Sequence, residues 1–335
     1  MNLKLIFSAI ILFIFSAIAY YLNNIVGVLD FLVSIGLYTI LFYTFHIIWK
    51  SIQKKEITDS ILYMKNFIFR ISIFILVTTS ILGGLTYLSN EIYKAKMPEY
   101  TISNGEKTVK FQAMVHIGSE SFYNQVKENL KKYKEEGGVY FFEGVKPGTQ
   151  ENMSAFNDAI GIEFDTDLYE NFSKLYGVTF QDTESFLGIV NDLDFNVDVD
   201  IDEIIRLYKE KNTIEENNKP YSPPIDANKE ILNTLSNLNE RELKILVYLN
   251  QAILNLIIGS DSLQGTLSEN FNNKNLFDVI LNGRNKVIVD EIQKSEYKKI
   301  YITYGLLHFK GVLAGLQEQD PRWQIIETKY LYPID

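Results

Sequence analysis

Long apolar runs dominate the first ninety residues of the chain and disappear after them. Leu5–Leu22 (LIFSAIILFIFSAIAYYL) carries no charge, Ile25–Trp49 carries one acid, Asp30, near its start, and Ile71–Leu88 (ISIFILVTTSILGGLTYL) is again uncharged. Each reaches the ~18–20 residues that a helix needs to cross a hydrocarbon core. Only Asn23 and Asn24 separate the first two runs, which predicts a tight helical hairpin. The pattern therefore predicts three transmembrane helices, at about 5–22, 25–49 and 71–88, in a membrane domain of residues 1–96. The SAIAYY stretch has the small residues of a signal-peptide cleavage site, but the run is long for a signal-peptide core.

From residue 97 the periods change. KAKMPEYTISNGEK reads as a short linker, and Val109–Val115 is an extended apolar run that ends in His116. SESFYNQVKENLKKYKEEGG has Phe122, Val126 and Leu130 at helical spacing, with Gly137 and Gly138 to close it. GVYFFEGV follows as a second strand, so the segment reads as a βαβ unit, which sets parallel strands side by side. Residues of about 150–290 read as mostly helical, with KNTIEENNKPYSPPID as a loop that holds three of the seven prolines. The chain then returns to a strand (KIYITYG), a helix (GVLAGLQEQ) and a last strand (WQIIETKYLY). The expected fold class is α/β: three membrane helices, then one domain over 97–335 with a central, mostly parallel sheet and a helical insertion.

Charge adds orientation. Residues 1–96 hold eight Lys/Arg against four Asp/Glu, and the remainder 24 against 38, for a net charge of -10 overall. Lys50, Lys54, Lys55, Lys65 and Arg70 lie between the second and third spans, while the hairpin tip has no Lys or Arg. The positive-inside rule puts that loop in the cytoplasm and the C-terminal domain outside, as in a multi-pass plasma-membrane protein with the lipid bilayer as partner. The acidic body argues against nucleic acid. The absence of cysteine removes disulfides, thiolate ligands and cysteine nucleophiles. HExxH, GxSxG, a phosphate-binding glycine loop and a dinucleotide fingerprint are all missing.

The chain has three histidines. His46, beside Trp49 at the end of the second span, reads as an interfacial residue. His116 and His308 both follow an apolar strand at a strand-turn-helix corner, and Glu143 stands near the end of another strand; parallel sheets bind ligands at such carboxyl ends. NDLDFNVDVDIDE (Asn191 to Glu203) has acids at calcium-loop spacing, but Val197 occupies the turn position that needs glycine. The alternation of Leu193, Phe195, Val197, Val199 and Ile201 instead predicts a half-buried strand with an acidic outer face, followed by a helix capped by Asp202. An Asp from this stretch is free to approach the site.

Four of these places, taken in order, resemble the Tiki/TraB-like proteins marked by two GxxH motifs. GLLH (Gly305 to His308), with FKG behind it, matches the second motif. AMVH (Ala113 to His116) matches the first, with Ala113 where the family has glycine. FFEGV sets Glu143 at the family's strand-borne glutamate, and GRNKVIVDEI sets Arg284 and Asn285 at its RN pair. The resemblance covers roughly Thr108 to the C-terminus and none of the membrane segment; membrane-bound relatives often carry their helices after the domain, not before it.

The resemblance implies a metal-dependent, peptidase-like hydrolase acting on a peptide or protein at the cell surface. It implies a divalent transition metal (Mn, Co, Zn or Fe) held by His116 and His308, with Glu143 as third ligand or general base. Arg284 would steady an oxyanion or a substrate carboxylate. Imidazoles and a carboxylate suit such an ion, which acidifies bound water. The competing expectation is a non-catalytic membrane protein of the same fold that captures or sequesters a peptide signal.

Overall fold

A computed structural model describes residues 3–57, 59–161, 166–181, 186–211, 226–260, 262–265 and 274–334. Most of the proline-rich loop lies outside them. The chain divides into two compact units, Met1–Leu88 with Ser236–Ile245, and Ser89–Leu235 with Leu246–Asp335.

The first unit is helical. In α1 (Leu3–Ile52) the helix is interrupted at Asn23 (φ -136°, ψ 34°) and Asn24 (φ 52°, ψ -145°). The rings of Phe15 and Phe31 stack with centroids 6.4 Å apart. In one straight helix those residues would be about 24 Å apart, so the two arms fold back as the expected hairpin. Gly27 lies where the arms meet: an added Cβ would come within 2.5 Å of the Ala19 carbonyl oxygen. α2 (Ser60–Tyr87), capped by Asp59, returns along α1, and the Tyr63 hydroxyl donates to the Phe42 carbonyl at 3.1 Å. His46 packs on the Tyr63 ring, 4.6 Å between centroids.

Leu3–Ile52 and Ser60–Ile92 are long and apolar enough to cross a membrane, and so is a later helix, Glu240–Gly259, which the sequence reading placed in the helical middle. At its start, Asn239 donates to the Leu22 carbonyl at 2.9 Å and Arg241 donates to that of Tyr21. Polar side chains from residues 239–241 thus satisfy carbonyls left open at the hairpin break.

The second unit is α/β, built on six strands in the order β6-β4-β7-β2-β1-β8. These are β1 (Met97–Ser103), β2 (Thr108–Met114), β4 (Val139–Phe142), β6 (Phe195–Asn196), β7 (Lys299–Gly305) and β8 (Gln324–Leu331). A two-stranded sheet pairs β3 (Ile117–Gly118) with β5 (Thr179–Phe180). The main sheet is mixed, so the expectation of a mostly parallel sheet holds only on one side. β6, β4, β7 and β2 run parallel, while β1 is antiparallel to both β2 and β8. The stretch read as a linker supplies β1: Met97 and Ile102 are fully buried, and Gly105 (φ 90°) turns the chain back into β2.

Helix α3 (Glu120–Glu135), capped by Ser119, buries Phe122, Val126 and Leu130 as its spacing predicts. The βαβ unit departs from expectation in one respect. β2 and β4 are parallel but not adjacent, because β7 inserts between them. Further helices among the described residues include α4 (Gln150–Ile160), α5 (Thr166–Tyr176), α6 (Ile201–Lys211), α7 (Ala227–Asn237), α8 (Glu240–Gly259), α9 (Lys274–Lys294) and α10 (Phe309–Gln319). Lys107 donates to the carbonyls of Ile292 and Gln293 at the end of α9, where a cation meets the negative end of the helix dipole.

Candidate functional site

The strand order β4-β7-β2 sets three carboxyl ends side by side, and each is followed by one of the residues singled out in the sequence. Met114 pairs with Gly305 and Phe142 with Thr303, so His116, Glu143 and His308 all leave the same edge of the sheet. After β2 the backbone is pinned where the Gln181 amide donates to the His116 carbonyl at 2.8 Å. The His116 side chain is exposed.

His308 closes a 3-10 turn (Leu306–His308) between β7 and α10 and is buried, at 5 % exposure. Its Nδ1 lies 2.8 Å from the Asn285 Oδ1. With that oxygen accepting, Nδ1 carries the proton and Nε2 keeps its lone pair. Burial, with the Arg284 guanidinium and His116 nearby, pushes the His308 pKa down to about 3, so the ring is neutral at physiological pH.

The motif glycines differ in what they do. At Gly305 a Cβ would meet His308 Cδ2 at 3.5 Å, an ordinary contact, and the Gly305 amide donates to Glu143 Oε2 at 3.0 Å. At Gly311 a Cβ would come within 2.1 Å of Asn285 Nδ2. The glycine three residues after His308 therefore leaves room for the amide that orients it. Gly311→Ala should displace Asn285, cost about 1–3 kcal/mol, and lift the restraint on the His308 tautomer. Thermal unfolding and imidazole nitrogen NMR shifts read the two effects separately.

Arg284, on α9, is buried at 7 % exposure and makes the densest polar contacts of the site. Its Nε and Nη2 donate to the two carboxylate oxygens of Asp198, each at 2.8 Å, its Nε also reaches the Tyr304 hydroxyl at 2.9 Å, and Nη2 binds Glu143 Oε1. The Tyr304 hydroxyl and the Gly144 amide add bonds to Asp198 at 2.9 and 3.0 Å. Burial alone would lower the Arg284 pKa, but Glu143, Tyr304 and Asp198 outweigh it and hold the guanidinium charged. Burial, countered in part by Arg284, raises the Tyr304 pKa, so that phenol stays protonated.

Asp198 is the site residue the sequence reading did not name, though it comes from the acidic stretch left open for this purpose. That stretch is a strand only at Phe195–Asn196, and two of its acids, Asp194 and Asp198, turn inward instead of forming an outer face. The Asp198 and Asp194 side chains are fully buried, the latter bound to Lys134 and to the Tyr140 amide. The cap of α6 is Asp200, which accepts from the Glu203 amide at 2.7 Å, while Asp202 binds Thr149 and Asn152 instead. Internal donors use these carboxylates. Ala113, the departure from the first motif, sits in the core at 0 % exposure, so its methyl packs among apolar neighbours.

Two cavities meet at this cluster. One, of about 500 Å³, is mainly apolar, with Leu254, Phe277 and Leu306 in its wall, and also reaches His308. The other, of about 530 Å³, is lined by Met153, Phe156, Tyr169 and Phe180 among others. Both include His116, Glu143 and Arg284, which therefore form a polar waist between two lobes. Among the described residues, no three His, Cys, Asp or Glu side chains are gathered closely enough to hold a metal ion. The donor chemistry of the two imidazoles does fit a borderline divalent ion, and a contact like that of His308 Nδ1 with Asn285 would orient such a ring for ligation through Nε2. Glu143, engaged on both oxygens, is less available as a third ligand.

Comparison with protein-family models, with curated proteins and with solved structures finds no match.

Proposed function

We propose that the chain is a membrane-anchored, outward-facing metal-dependent hydrolase that acts on a peptide or protein at the cell surface, in line with its resemblance to the Tiki/TraB-like proteins. One observation carries the reading: three neighbouring parallel strand ends bring His116 and Glu143 to the waist of a two-lobed cavity and His308 into the wall of one lobe beside it. His116 and His308 would hold the ion, which supplies an acidified water and a polarised carbonyl. Glu143, oriented by Arg284 and the Gly305 amide, suits proton transfer at that water. An extended substrate crossing the waist would place residues in both lobes. Arg284, already committed to Asp198, acts as the positioning residue for Glu143.

The lysines of the 50–70 loop support the cytoplasmic side for that loop. The full use of both Glu143 oxygens favours one second reading, a non-catalytic membrane protein that captures a peptide.

Metal analysis of the full chain in detergent, beside His116→Ala and His308→Ala, separates the two. Near-stoichiometric Mn, Co, Zn or Fe in the parent, lost in both folded variants, is the expected result. No binding after reconstitution with each metal would sink the hydrolase and leave the peptide-capturing protein.

A further inference from the structure

The segment that leaves α2 builds a second site of different chemistry. From Lys94 the chain is extended, and its period of two sends Ala95 and Met97 into the core, at 2 % and 0 % exposure. Lys94, Lys96, Pro98 and Tyr100 fall on the other side. β8 pairs Tyr330 with Pro98, so Tyr330 and then Tyr332 join that face. The result is a cavity of about 600 Å³ whose wall includes two lysines and four tyrosines, counting Tyr93. The Lys96 ammonium lies 5.9 Å from the centre of the Tyr330 ring.

Neither lysine has a carboxylate partner among the described residues. The one acid in the wall, Glu91, accepts from the Tyr248 hydroxyl at 3.3 Å. A locally cationic cavity in an otherwise acidic domain is complementary to an anion. Its position in the chain narrows the kind of anion. Lys94 comes seven residues after Tyr87, the last residue of the apolar helix α2, within a reach of about 25 Å. Lysine and tyrosine are the side chains that bridge apolar and headgroup layers. Ile92, Ile258 and Leu306 give the same cavity an apolar flank that a free inorganic anion would not use.

We propose that Lys94 and Lys96, with Tyr330 and Tyr332, bind the phosphodiester headgroup of an anionic bilayer lipid. The site is separate from the histidine cluster and stands whether or not that cluster holds a metal.

The test is native mass spectrometry of the full chain released from nanodiscs of phosphatidylcholine with and without phosphatidylglycerol. The expected result is retained phosphatidylglycerol, weakened about tenfold in Lys94→Gln/Lys96→Gln. It should be preserved in Lys94→Arg/Lys96→Arg and in Lys131→Gln/Lys132→Gln, two exposed lysines of α3 with the same change of charge. Equal retention by the Lys94/Lys96 glutamine variant, or equal retention of phosphatidylcholine, would overturn the proposal. Inorganic phosphate that binds the lipid-free protein with the same dependence on Lys94 and Lys96 would replace the lipid with a simple anion site.

Discussion

Arg284→Met is expected to destabilise the α/β unit by about 3–5 kcal/mol, the range for breaking a buried ion pair from one side. The reason is Asp198 more than Arg284. Its carboxylate is fully buried, and the guanidinium holds both of its oxygens. Without that partner, the Tyr304 hydroxyl and the Gly144 amide remain, too little for a buried charge. Arg284→Lys should recover only part of the loss, since an ammonium cannot make the two-pronged contact. Glu143→Gln offers the contrast. Its side chain is 17 % exposed and Arg284 keeps both bonds to Asp198, but an amide has one acceptor for the two donors that Glu143 serves, so stability should fall by about 1–2 kcal/mol, less than for Arg284→Met. If Glu143 moves a proton, its activity should nevertheless fall by about 10²–10⁴. Denaturant titration followed by the buried Trp323, in a Trp49→Phe background, reads the α/β unit alone. An Arg284→Met protein as stable as its parent would show that Asp198 does not depend on this contact.

Much of the site was legible because it lies on strongly periodic elements. The apolar runs before His116 and His308 form strands, Ser119 caps its helix, and the Asn23–Asn24 pair breaks its helix where the polarity does. Strand adjacency is less visible in a sequence. Local spacing in the βαβ unit says that β2 and β4 are parallel, but β7 enters from some 160 residues away, and only tertiary pairing can place it between them. That insertion is what makes the three strand ends neighbours. β1 was misread for a similar reason: its Pro98 and its polar residues suit a linker, until β8 covers its other edge.

The acidic stretch shows a different limit. Its alternation is real, with Val197, Val199 and Ile201 all buried, yet the Asp194 and Asp198 side chains are turned away from water. Asp194 serves Lys134, Asp198 serves Arg284, and Asp200 caps the start of α6. Polar residues opposite an apolar face normally mean solvent, and the pattern carries no sign that donors from α3 and α9 will cover them. The same holds for Tyr304, an apolar-looking strand residue whose hydroxyl completes the Asp198 contacts.

Acid should weaken the α/β unit well above the pH at which carboxylates lose their charge, and His308 should be the cause. Its folded pKa of about 3 lies below the ordinary imidazole value, so between those values the unfolded chain binds a proton that the folded chain refuses. Its stabilising contribution is therefore complete above about pH 6.5 and is lost as the pH falls towards 3. The loss is about 2 kcal/mol by pH 5 and about 5 kcal/mol in the limit. The groups that face the ring explain why protonation is resisted: Arg284 from α9 is a cation, His116 adds to the effect, and Asn285 offers one oxygen to Nδ1. Glu143, bonded to the Gly305 amide, is already bound to Arg284. Carboxylates with lowered pKa values act in a lower window; Asp320, bonded to Arg322, is held at about 2. Between pH 6.5 and 5, in the presence of chelator, the Tm of the α/β unit should therefore fall by about 4–8 °C. His308→Gln keeps an acceptor and donor at the position but has nothing to titrate, so its Tm should stay nearly flat over the same range. Parallel slopes for the two proteins would mean that some other group carries the acid sensitivity and that the neutral ring is not held by its surroundings.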